Sequence, residues 1–350
     1  MSRLENDVHF MDDFTKLPES SPNRSLRPGE LLGPLPSSDT KFMRRVRVHQ
    51  AWYRANVLGL ARYGTLAGST GLCGSVLTDE DAERWLNFLG PSAAATYVAR
   101  RAAGWGVDPV RCTKYLTSSQ TLTFNMLSEV VRLPKASARL FGAMLGRGDL
   151  AWLESADFEF SGVNTPYWLG DRTFVDLLLR FRRTDGGLQV VAVETKLADR
   201  FSTRRTEGMG GPRYRQLAER QPIWRNLHES LDNNTTRQMT RCHALAQSVQ
   251  VVDGGRLNES AALLMLLHPG DRNGLDHAQD YVAGLNSDDG DFSTWDDFLC
   301  AAGSAEAIDD GLRRDLELRY LDMSLSESAW LEVGRTGSNR NGRPEDADIT

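Results

Sequence analysis

The chain has 350 residues and a formal net charge of −6, and 40% of its residues are hydrophobic and 25% charged. This composition is ordinary for a soluble protein with one or two domains. Its longest apolar run, residues 261–267, is too short to cross a bilayer and its N-terminus lacks an apolar signal segment, so we expect a cytoplasmic protein without membrane partners. Four scattered cysteines without a Cys-x-x-Cys pair argue against a disulfide framework or a zinc site and favour buried free thiols.

The chain before the first predicted strand is an arm followed by helices. Residues 1–40 are rich in proline, serine and charge, which predicts an extended polar arm. Residues 41–63 contain six basic residues and no acidic one, and predict a basic amphipathic helix that opens a helical N-terminal region over 41–115. Further helices are predicted at 78–83, 92–104, 117–131 and 136–145.

The central segment, residues 116–270, is predicted to be the structural core. It combines strand and helix signals in the order helix, strand, hairpin, helix, strand, which predicts an α/β fold with a mixed sheet flanked by helices. The predicted elements are a strand at 152–160, a hairpin at 172–196, helices at 214–231 and 235–251, and a buried strand at 261–268.

The C-terminal segment, residues 271–335, is predicted to be a helical addition to this core. Residues 270–292 are acidic and loop-like, and closing helices are predicted at 294–302 and 309–321. The polar, glycine-containing residues 336–350 predict a disordered tail.

The predicted hairpin, residues 172–196, carries the most informative side chains. The turn sequence Thr-Asp-Gly-Gly at 184–187 supplies the positive φ that tight hairpins need. Counting back from this turn places Asp176 opposite residues 194–196, and the alternation of side chains points Glu194 and Lys196 to one face. A slip of one residue in this register would turn the group to the wrong face.

Two carboxylates beside a lysine are suited to phosphodiester hydrolysis. Carboxylate oxygens hold Mg²⁺ or Mn²⁺, hard cations that retain several waters and act on a phosphate group. Lys196 can orient the attacking water and stabilise the developing negative charge, whereas a lysine with an ordinary pKa of about 10.4 is a poor base. We therefore predict a metal site at Asp176 and Glu194 with Lys196 beside it.

A further acid is expected on an upstream element. Glu159, in the alternating segment Asp-Phe-Glu-Phe at 157–160, is a candidate catalytic residue and metal ligand, unless it faces solvent on its strand. Glu129 and Gln120 on the preceding helix are weaker candidates, and Gln120 equally suits a helix start that satisfies backbone groups.

Four segments form a wider pattern along the chain. They are Leu-Thr-Ser-Ser-Gln-Thr-Leu-Thr-Phe-Asn at 116–125, Phe-Glu at 158–159, Gly-Asp-Arg-Thr-Phe-Val-Asp at 170–176 and Val-Glu-Thr-Lys at 193–196. Together they resemble the PD-(D/E)XK nuclease superfamily, the restriction-endonuclease-like fold, and within it a bacterial family of predicted restriction endonucleases. The resemblance extends over residues 42–325 and departs from the superfamily pattern at Val175, where a proline would precede the aspartate.

The resemblance implies a metal-dependent endonuclease that hydrolyses DNA phosphodiester bonds, in restriction or in defence against foreign DNA. It implies that Asp176 and Glu194 bind the metal, that the backbone carbonyl of Thr195 adds a ligand and that Lys196 is catalytic. It also implies an additional acid, supplied by Glu159 or Glu129.

A second basic segment, residues 196–225, begins at the lysine of the predicted site. Phosphate binding depends on local positive potential rather than on net charge, so this segment and the 41–63 helix are candidate DNA-binding surfaces unless their arginines are merely solvated. A double-strand cut usually requires two active sites, which makes a homodimer plausible. The candidate nucleic-acid contacts are Arg200, Arg204, Arg205, Arg213, Arg215 and Gln120.

Three other interpretations of these residues are open from the sequence. Asp176, Glu194 and Lys196 also suit a structural ion pair in an α/β protein. A catalytically inactive, nucleic-acid-binding protein of the same fold would retain the surrounding pattern. RNA or another phosphodiester would suit the same chemistry as DNA.

Overall fold

The computed structural model describes residues 31–68, 71–104 and 106–341, with only the backbone for residues 335–341. Most of the predicted arm, residues 1–30, and the last part of the predicted tail, residues 342–350, lie outside the described residues. The chain forms two compact units. The first consists of Met1–Asn87, Val110–Thr117 and Glu317–Thr350, and the second of Phe88–Pro109 and Ser118–Leu316.

In the described residues, the helices lie mainly before β1 and after β3. The helices are α1 (Lys41–Asn56), α2 (Asp79–Glu83), α3 (Pro91–Ala102), α4 (Pro109–Lys114), α5 (Ser119–Leu127), α6 (Pro134–Met144), α7 (Pro212–Arg220), α8 (Leu227–Asp232), α9 (Arg237–Val252), α10 (Arg272–Ala283), α11 (Trp295–Ser304), α12 (Asp310–Leu316) and α13 (Glu327–Asn341). The strands are β1 (Leu150–Ser161), β2 (Phe174–Arg183), β3 (Leu188–Lys196), β4 (Ala262–Leu267) and β5 (Gly290–Thr294).

The first unit is helical and is organised around α1. Thr40 caps this helix by accepting a hydrogen bond from the amide of Met43, and Leu32 is buried against its residues Val48 and Ala51. The helix predicted over residues 41–63 therefore begins as expected but ends at Asn56. The chain returns to this unit at Glu317–Leu321, a π-helical turn that follows α12, where a single helix over 309–321 was expected.

The second unit contains a mixed five-stranded sheet in the order β1-β2-β3-β4-β5, with helices on both sides, as the sequence predicts. Strands β1, β2 and β3 are antiparallel, whereas β4 runs parallel to β3 and β5 parallel to β4. Helices α7, α8 and α9 connect β3 to β4, and α10 connects β4 to β5, because parallel neighbours require a crossover. The carboxyl ends of β3, β4 and β5 consequently lie at one edge of the sheet.

In the second unit, two further segments differ from the sequence-based expectation for physical reasons. The helix predicted over 214–231 is divided into α7 and α8, because Gln221 precedes Pro222 and adopts an extended backbone. The region 270–292, expected to be loop, contains α10, which Asp271 caps at the amide of Gly274, and begins strand β5. Strand β5 is short and polar, so its strand conformation depends on pairing with β4 rather than on its own periodicity.

The sheet is buried on both faces. One face packs against α7, α9 and α10, where Tyr214, Leu245 and Tyr281 join the apolar cluster of the strands. The other face packs against α5, α6 and α11, with Phe141 of α6 near the rings of both Phe181 and Phe298. Strand β3 is buried along its whole length, which explains its nearly continuous apolar sequence.

Candidate active site

Asp176 lies where β2 and β3 separate. The backbone pairing runs to Leu177 opposite Val193, so the register places Asp176 opposite Glu194, as the turn sequence predicts. Beyond that pair, the amide of Thr195 donates to Oδ2 of Asp176 at 2.7 Å and the Thr195 hydroxyl donates to the same oxygen at 2.8 Å. The aspartate side chain is thus held beside the last residues of β3.

Glu194 and Lys196 form a buried ion pair on one face of β3. The ammonium of Lys196 is 2.6 Å from Oε1 of Glu194, and the same oxygen accepts a hydrogen bond at 2.5 Å from the side-chain amide of Gln238 on α9. Phe201 places its ring 5.4 Å from the ammonium, and the Trp295 indole donates to the Lys196 carbonyl at 3.2 Å. The structural ion pair considered from the sequence is therefore present, although it joins Glu194 to Lys196 and leaves Asp176 bound to Thr195.

Glu159 occupies an unusual backbone conformation on β1. The pairs Phe158 with Leu177 and Phe160 with Val175 place it opposite Asp176, and its φ of 47° lies in the left-handed region that non-glycine residues rarely adopt. Its side chain is buried, and Oε1 has no hydrogen-bond partner in the described part of the chain. It does not face solvent, which removes the alternative considered from the sequence.

The backbone around Glu159 is held by an arginine from α3. Arg100 donates from Nε to the carbonyl of Phe158 at 2.6 Å and from a terminal nitrogen to the carbonyl of Glu159 at 2.8 Å. These two bonds satisfy carbonyls that the left-handed residue removes from regular pairing. Arg100 therefore supports the position of Glu159.

The carboxyl groups influence each other's protonation. Burial, followed by the charges of Asp176 and Glu194, raises the pKa of Glu159 well above its ordinary value. Burial and the charge of Glu194 raise the pKa of Asp176 to about 7, although Lys196 and Thr195 act in the opposite direction. Burial alone would lower the pKa of Lys196, but Glu194 and Asp176 outweigh it and raise that pKa above its ordinary value, so the ammonium stays charged.

The other acid and amide named from the sequence lie in different surroundings. Glu129 is paired with Arg132 at 3.5 Å on the surface. Gln120 hydrogen-bonds to the carboxyl group of Glu159, donates to the carbonyl of Gly106 at 3.1 Å and accepts from the amide of Asp108 at 3.2 Å. Gln120 thus connects Glu159 to the loop before α4.

Several residues at the site were missed by the sequence analysis. Gln238 and Cys242 of α9 reach Glu194, with the Cys242 sulfur 3.5 Å from Oε2, and burial together with Glu194 raises the pKa of that thiol well above its ordinary value. Thr123 of α5 lies 2.6 Å from the hydroxyl of Thr195 on the opposite face of β3. Thr123 belongs to the Ser-Ser-Gln segment, which was the one sequence signal available for any of these residues.

The five arginines named after the site lie on the segment that follows β3. All are exposed, and Arg205 is paired with Asp232 at 2.7 Å while Arg215 donates to the carbonyl of Gly210 at 3.1 Å. The other three form no ion pair with a described residue. They are Arg200, Arg204 and Arg213.

This segment is anchored by a buried acid. Asp171 accepts hydrogen bonds from the hydroxyl of Tyr214 at 2.7 Å and from that of Thr206 at 3.4 Å, and is 3.3 Å from Nε of Arg241. Gly208 also lies against the carbonyl of Gly170 so closely that a β-carbon would collide with it. The basic segment is therefore docked on the residues that lead into β2.

The basic residues of α1 are mostly engaged within the first unit. Arg54 is fully buried and donates to the carbonyl of Gly74 at 2.8 Å. Arg45 pairs with Glu327 at 3.0 Å and Arg47 with Asp39 at 2.7 Å. Burial and pairing therefore engage Arg45, Arg47 and Arg54, whereas Lys41 is exposed and Arg44 is half-buried, and a basic surface on α1 stays a prediction for those two residues.

The donor set fits a hard divalent cation. Magnesium is commonly held by one or two carboxylates with several waters. Here Glu159 and Asp176, which both have raised pKa values, lie beside Glu194. Oε1 of Glu159 is buried and has no hydrogen-bond partner in the described residues. Within the described residues, no three His, Cys, Asp or Glu side chains are placed so that they could hold one metal ion together, so a cation here would be held by at most two of these carboxylates and by water. The arrangement thus suits an ion that keeps part of its water shell.

A mixed sheet with acids and a lysine at the separating ends of β2 and β3 defines the class of this protein. The family model described as the PD-(D/E)XK nuclease superfamily matches residues 37–322, and the chain belongs to that superfamily. Comparisons with curated proteins and with solved structures gave no significant match. In the described residues, no helix has both the length and the apolar character needed to traverse a bilayer.

Proposed function

We propose that this protein is an endonuclease that uses Mg²⁺ or Mn²⁺ to hydrolyse DNA phosphodiester bonds in restriction or defence against foreign DNA. The observation that carries the proposal is the register of the strands, which places Glu159, Asp176 and Glu194 opposite one another on β1, β2 and β3, with the charged Lys196 paired to Glu194. A buried group of acids with raised pKa values is costly to the fold, and a divalent cation would relieve that cost.

Each residue has a proposed role at the scissile phosphate. Asp176, Glu194 and the backbone carbonyl of Thr195 would hold the cation. Glu159 would become the further ligand only if its side chain moved towards them, because no three such side chains are placed to share an ion in the described residues. When bound, the cation supplies Lewis acidity at the phosphate and lowers the pKa of water. Lys196, fixed by Glu194 and kept charged, would orient the attacking water and stabilise negative charge on the phosphate oxygens.

The surroundings supply proposed contacts to the substrate. Arg200, Arg204 and Arg213 are exposed near the end of β3 and suit phosphate binding, and Arg205 and Arg215 would join them. Gln120 is a weaker contact, since its amide already bridges Glu159 and the loop at Gly106. Cytoplasmic location and a homodimer, in which two sites would cut two strands, are parts of the same proposal.

The proposal is tested by incubating supercoiled plasmid with wild-type protein and Mg²⁺ or Mn²⁺. We expect metal-dependent nicking or linearisation that falls by roughly a hundredfold or more in Asp176→Ala and Lys196→Ala, as is typical when a group that stabilises the transition state is removed. The matched controls are Asp280→Ala and Lys135→Ala, two exposed positions on α10 and α6. These should cut as the wild type does.

Two results would contradict the assignment. Cleavage that persists in both Asp176→Ala and Lys196→Ala would place the activity elsewhere or in a contaminant. Absence of cleavage by every form, together with salt-sensitive DNA binding, would favour a nucleic-acid-binding protein that has lost hydrolysis. Parallel reactions with RNA of the same sequence decide which nucleic acid is the substrate.

A further inference from the structure

We propose that the cavity between α3 and the edge strand β1 receives an unpaired nucleobase from the DNA strand being cut. The inference rests on the proposed function and specifies its substrate as DNA that is single-stranded, or locally unpaired, next to the scissile phosphate. The cavity measures about 410 Å³. Its lining includes Thr96, Ala99, Arg100, Ala103, Phe160 and Phe174.

The size and lining of the cavity suit one base. Pockets that hold small molecules occupy roughly 300–1,000 Å³, so this cavity has room for a single nucleotide but not for a segment of duplex. Phe160 and Phe174 offer aromatic rings for stacking, and Asp157 and Ser161 offer polar groups for the edge of a base. Small side chains at Ala99 and Ala103 leave the space open along α3.

The cavity is adjacent to the acids of the active site. Phe158 and Phe160, which both line it, flank Glu159, and Phe174 precedes Asp176 by two residues. At about 3.3 Å per residue along a strand, the backbone of these lining residues lies within roughly 7 Å of the backbone of both acids. A nucleotide whose phosphate lies at the carboxylates can therefore reach the cavity with its base.

Arg100 links the cavity to the chemistry. Its guanidinium group forms part of the cavity wall and also holds the carbonyls of Phe158 and Glu159. A base inside an intact duplex is stacked and paired, so it would enter only after extrusion or from DNA that is already unpaired. The geometry thus favours single strands, flaps, gaps or mismatches over continuous duplex.

An extended peptide is the competing occupant, since β1 is an edge strand. Adding a peptide strand requires a run of available backbone groups. The carbonyls of Phe158 and Glu159 are already bound by Arg100, and the left-handed backbone at Glu159 interrupts the extended edge. The edge beside the cavity is therefore a poor template for a peptide.

The test fills the cavity and measures binding separately from cleavage. Fluorescence anisotropy in EDTA measures binding to a fluorescein-labelled single-stranded oligonucleotide and to its duplex. The proteins compared are full-length wild type, Ala99→Trp and the control Ala95→Trp. Ala95 is exposed on the same helix and does not line the cavity. We expect Ala99→Trp to weaken single-strand binding by roughly tenfold or more, the scale of one lost base stack, while duplex binding and Ala95→Trp stay close to wild type.

Folding and activity are controlled in the same set. Thermal midpoints establish that each variant is folded, and if Ala99→Trp is destabilised, Ala103→Leu fills the same space with a smaller side chain. Unchanged single-strand affinity in a folded, filled variant overturns the inference, as does equal loss for single strand and duplex. Failure of the proposed function is recognised separately, as absence of metal-dependent cleavage by the wild type of both supercoiled plasmid and single-stranded DNA.

Discussion

At the scale of single residues, Asp176 combines a proposed role in metal binding with a cost to the fold. Its carboxyl group accepts two hydrogen bonds from Thr195 yet has a pKa of about 7, because burial and Glu194 oppose its charge. The folded protein therefore holds this proton more tightly than the unfolded chain, in which the ordinary value is 3.8. Because the carboxyl group of Asp176 loses its proton more readily in the unfolded chain, the free energy of unfolding of the metal-free protein decreases as the pH rises from about 4 to 7.

Asp176→Asn should stabilise the metal-free protein at high pH, because asparagine does not titrate. The largest possible gain in the free energy of unfolding is about 4 kcal/mol, at roughly 1.4 kcal/mol per pKa unit. Because a neutral amide forms weaker hydrogen bonds than a carboxylate, we expect a gain of roughly 1–3 kcal/mol. Thermal unfolding in EDTA at pH 8 and pH 5 measures the effect. The difference in thermal midpoint between Asp176→Asn and wild type should be smaller at pH 5 than at pH 8. Asp280→Asn, an exposed control, should change neither midpoint, and a variant less stable than wild type at pH 8 would refute the argument.

Among the structural elements, the segment between β3 and α7 depends on one close backbone contact. Gly208 has a φ of 82° and lies against the carbonyl of Gly170, next to Asp171, which binds Thr206 and Tyr214. A side chain at Gly208 would have to displace the backbone that leads into β2. The position of the basic segment thus depends on glycine at this residue.

Gly208→Ala is expected to destabilise the protein by roughly 2–4 kcal/mol, since it combines left-handed strain with a collision. Gly146→Ala is the matched control, because Gly146 has a φ of 62° but open space around its α-carbon, and it should cost only about 1–2 kcal/mol. Urea denaturation of both variants measures the difference. Equal losses would show that the contact with Gly170 contributes little.

Helix α1 carries a buried histidine that should make its unit sensitive to acid. His49 is hydrogen-bonded to the hydroxyl of Ser326 at 3.0 Å and to the carbonyl of Leu318 at 3.1 Å. Burial lowers the pKa of His49 to about 4 from its ordinary 6.5. The folded protein therefore takes up the proton less readily than the unfolded chain, and stability is lost as the pH falls from 6.5 towards 4.

This contribution amounts to about 2 kcal/mol between pH 7 and pH 5. In His49→Gln, the urea midpoint should change less between pH 7 and pH 5 than it does in the wild type. The variant should also be less stable than the wild type at pH 7. His228→Gln replaces an exposed imidazole and should leave the profile unchanged. A wild-type profile that is flat over this range would contradict the assignment of a neutral, buried His49.

On the scale of the whole molecule, a net charge of −6 does not describe the local potential. In α1, Arg45 and Arg47 are paired and Arg54 is buried, whereas the five arginines after β3 are exposed. Of these two basic segments, the one after β3 therefore offers more positive charge to a phosphate backbone. This distribution predicts that DNA binding depends on a few residues rather than on the overall charge.

Replacing Arg200, Arg204 and Arg213 together with glutamine should weaken DNA binding similarly for all sequences. The slope of log affinity against log salt concentration should fall by roughly 2–3, at about 0.9 per lost phosphate contact. Fluorescence anisotropy over a salt series measures both effects. The control set is Arg182 and Arg256, which lie beside the hairpin turn at the other end of the strands, together with Arg220 at the end of α7. Equal effects of the two sets would contradict a localised surface.

Local patterns were enough to predict the parts of the site that lie on one hairpin. The turn at 184–187 and the alternation of side chains determine which residues of β2 and β3 meet, and Asp176, Glu194 and Lys196 follow from that register. Glu159 could also be named, because its strand alternates visibly. Its left-handed backbone could not, since it depends on Arg100 from α3.

The sequence by itself therefore determined the superfamily, the mixed sheet and the central acids with their lysine, because strand period and turn chemistry act over some twenty-five neighbouring residues. The tertiary structure alone decided that Gln238 and Thr123 adjoin β3, that β5 completes the sheet and that Arg54 of α1 is buried in its unit. Those outcomes depend on burial and on pairing between segments far apart in the chain, and neither leaves a periodic signal in either segment.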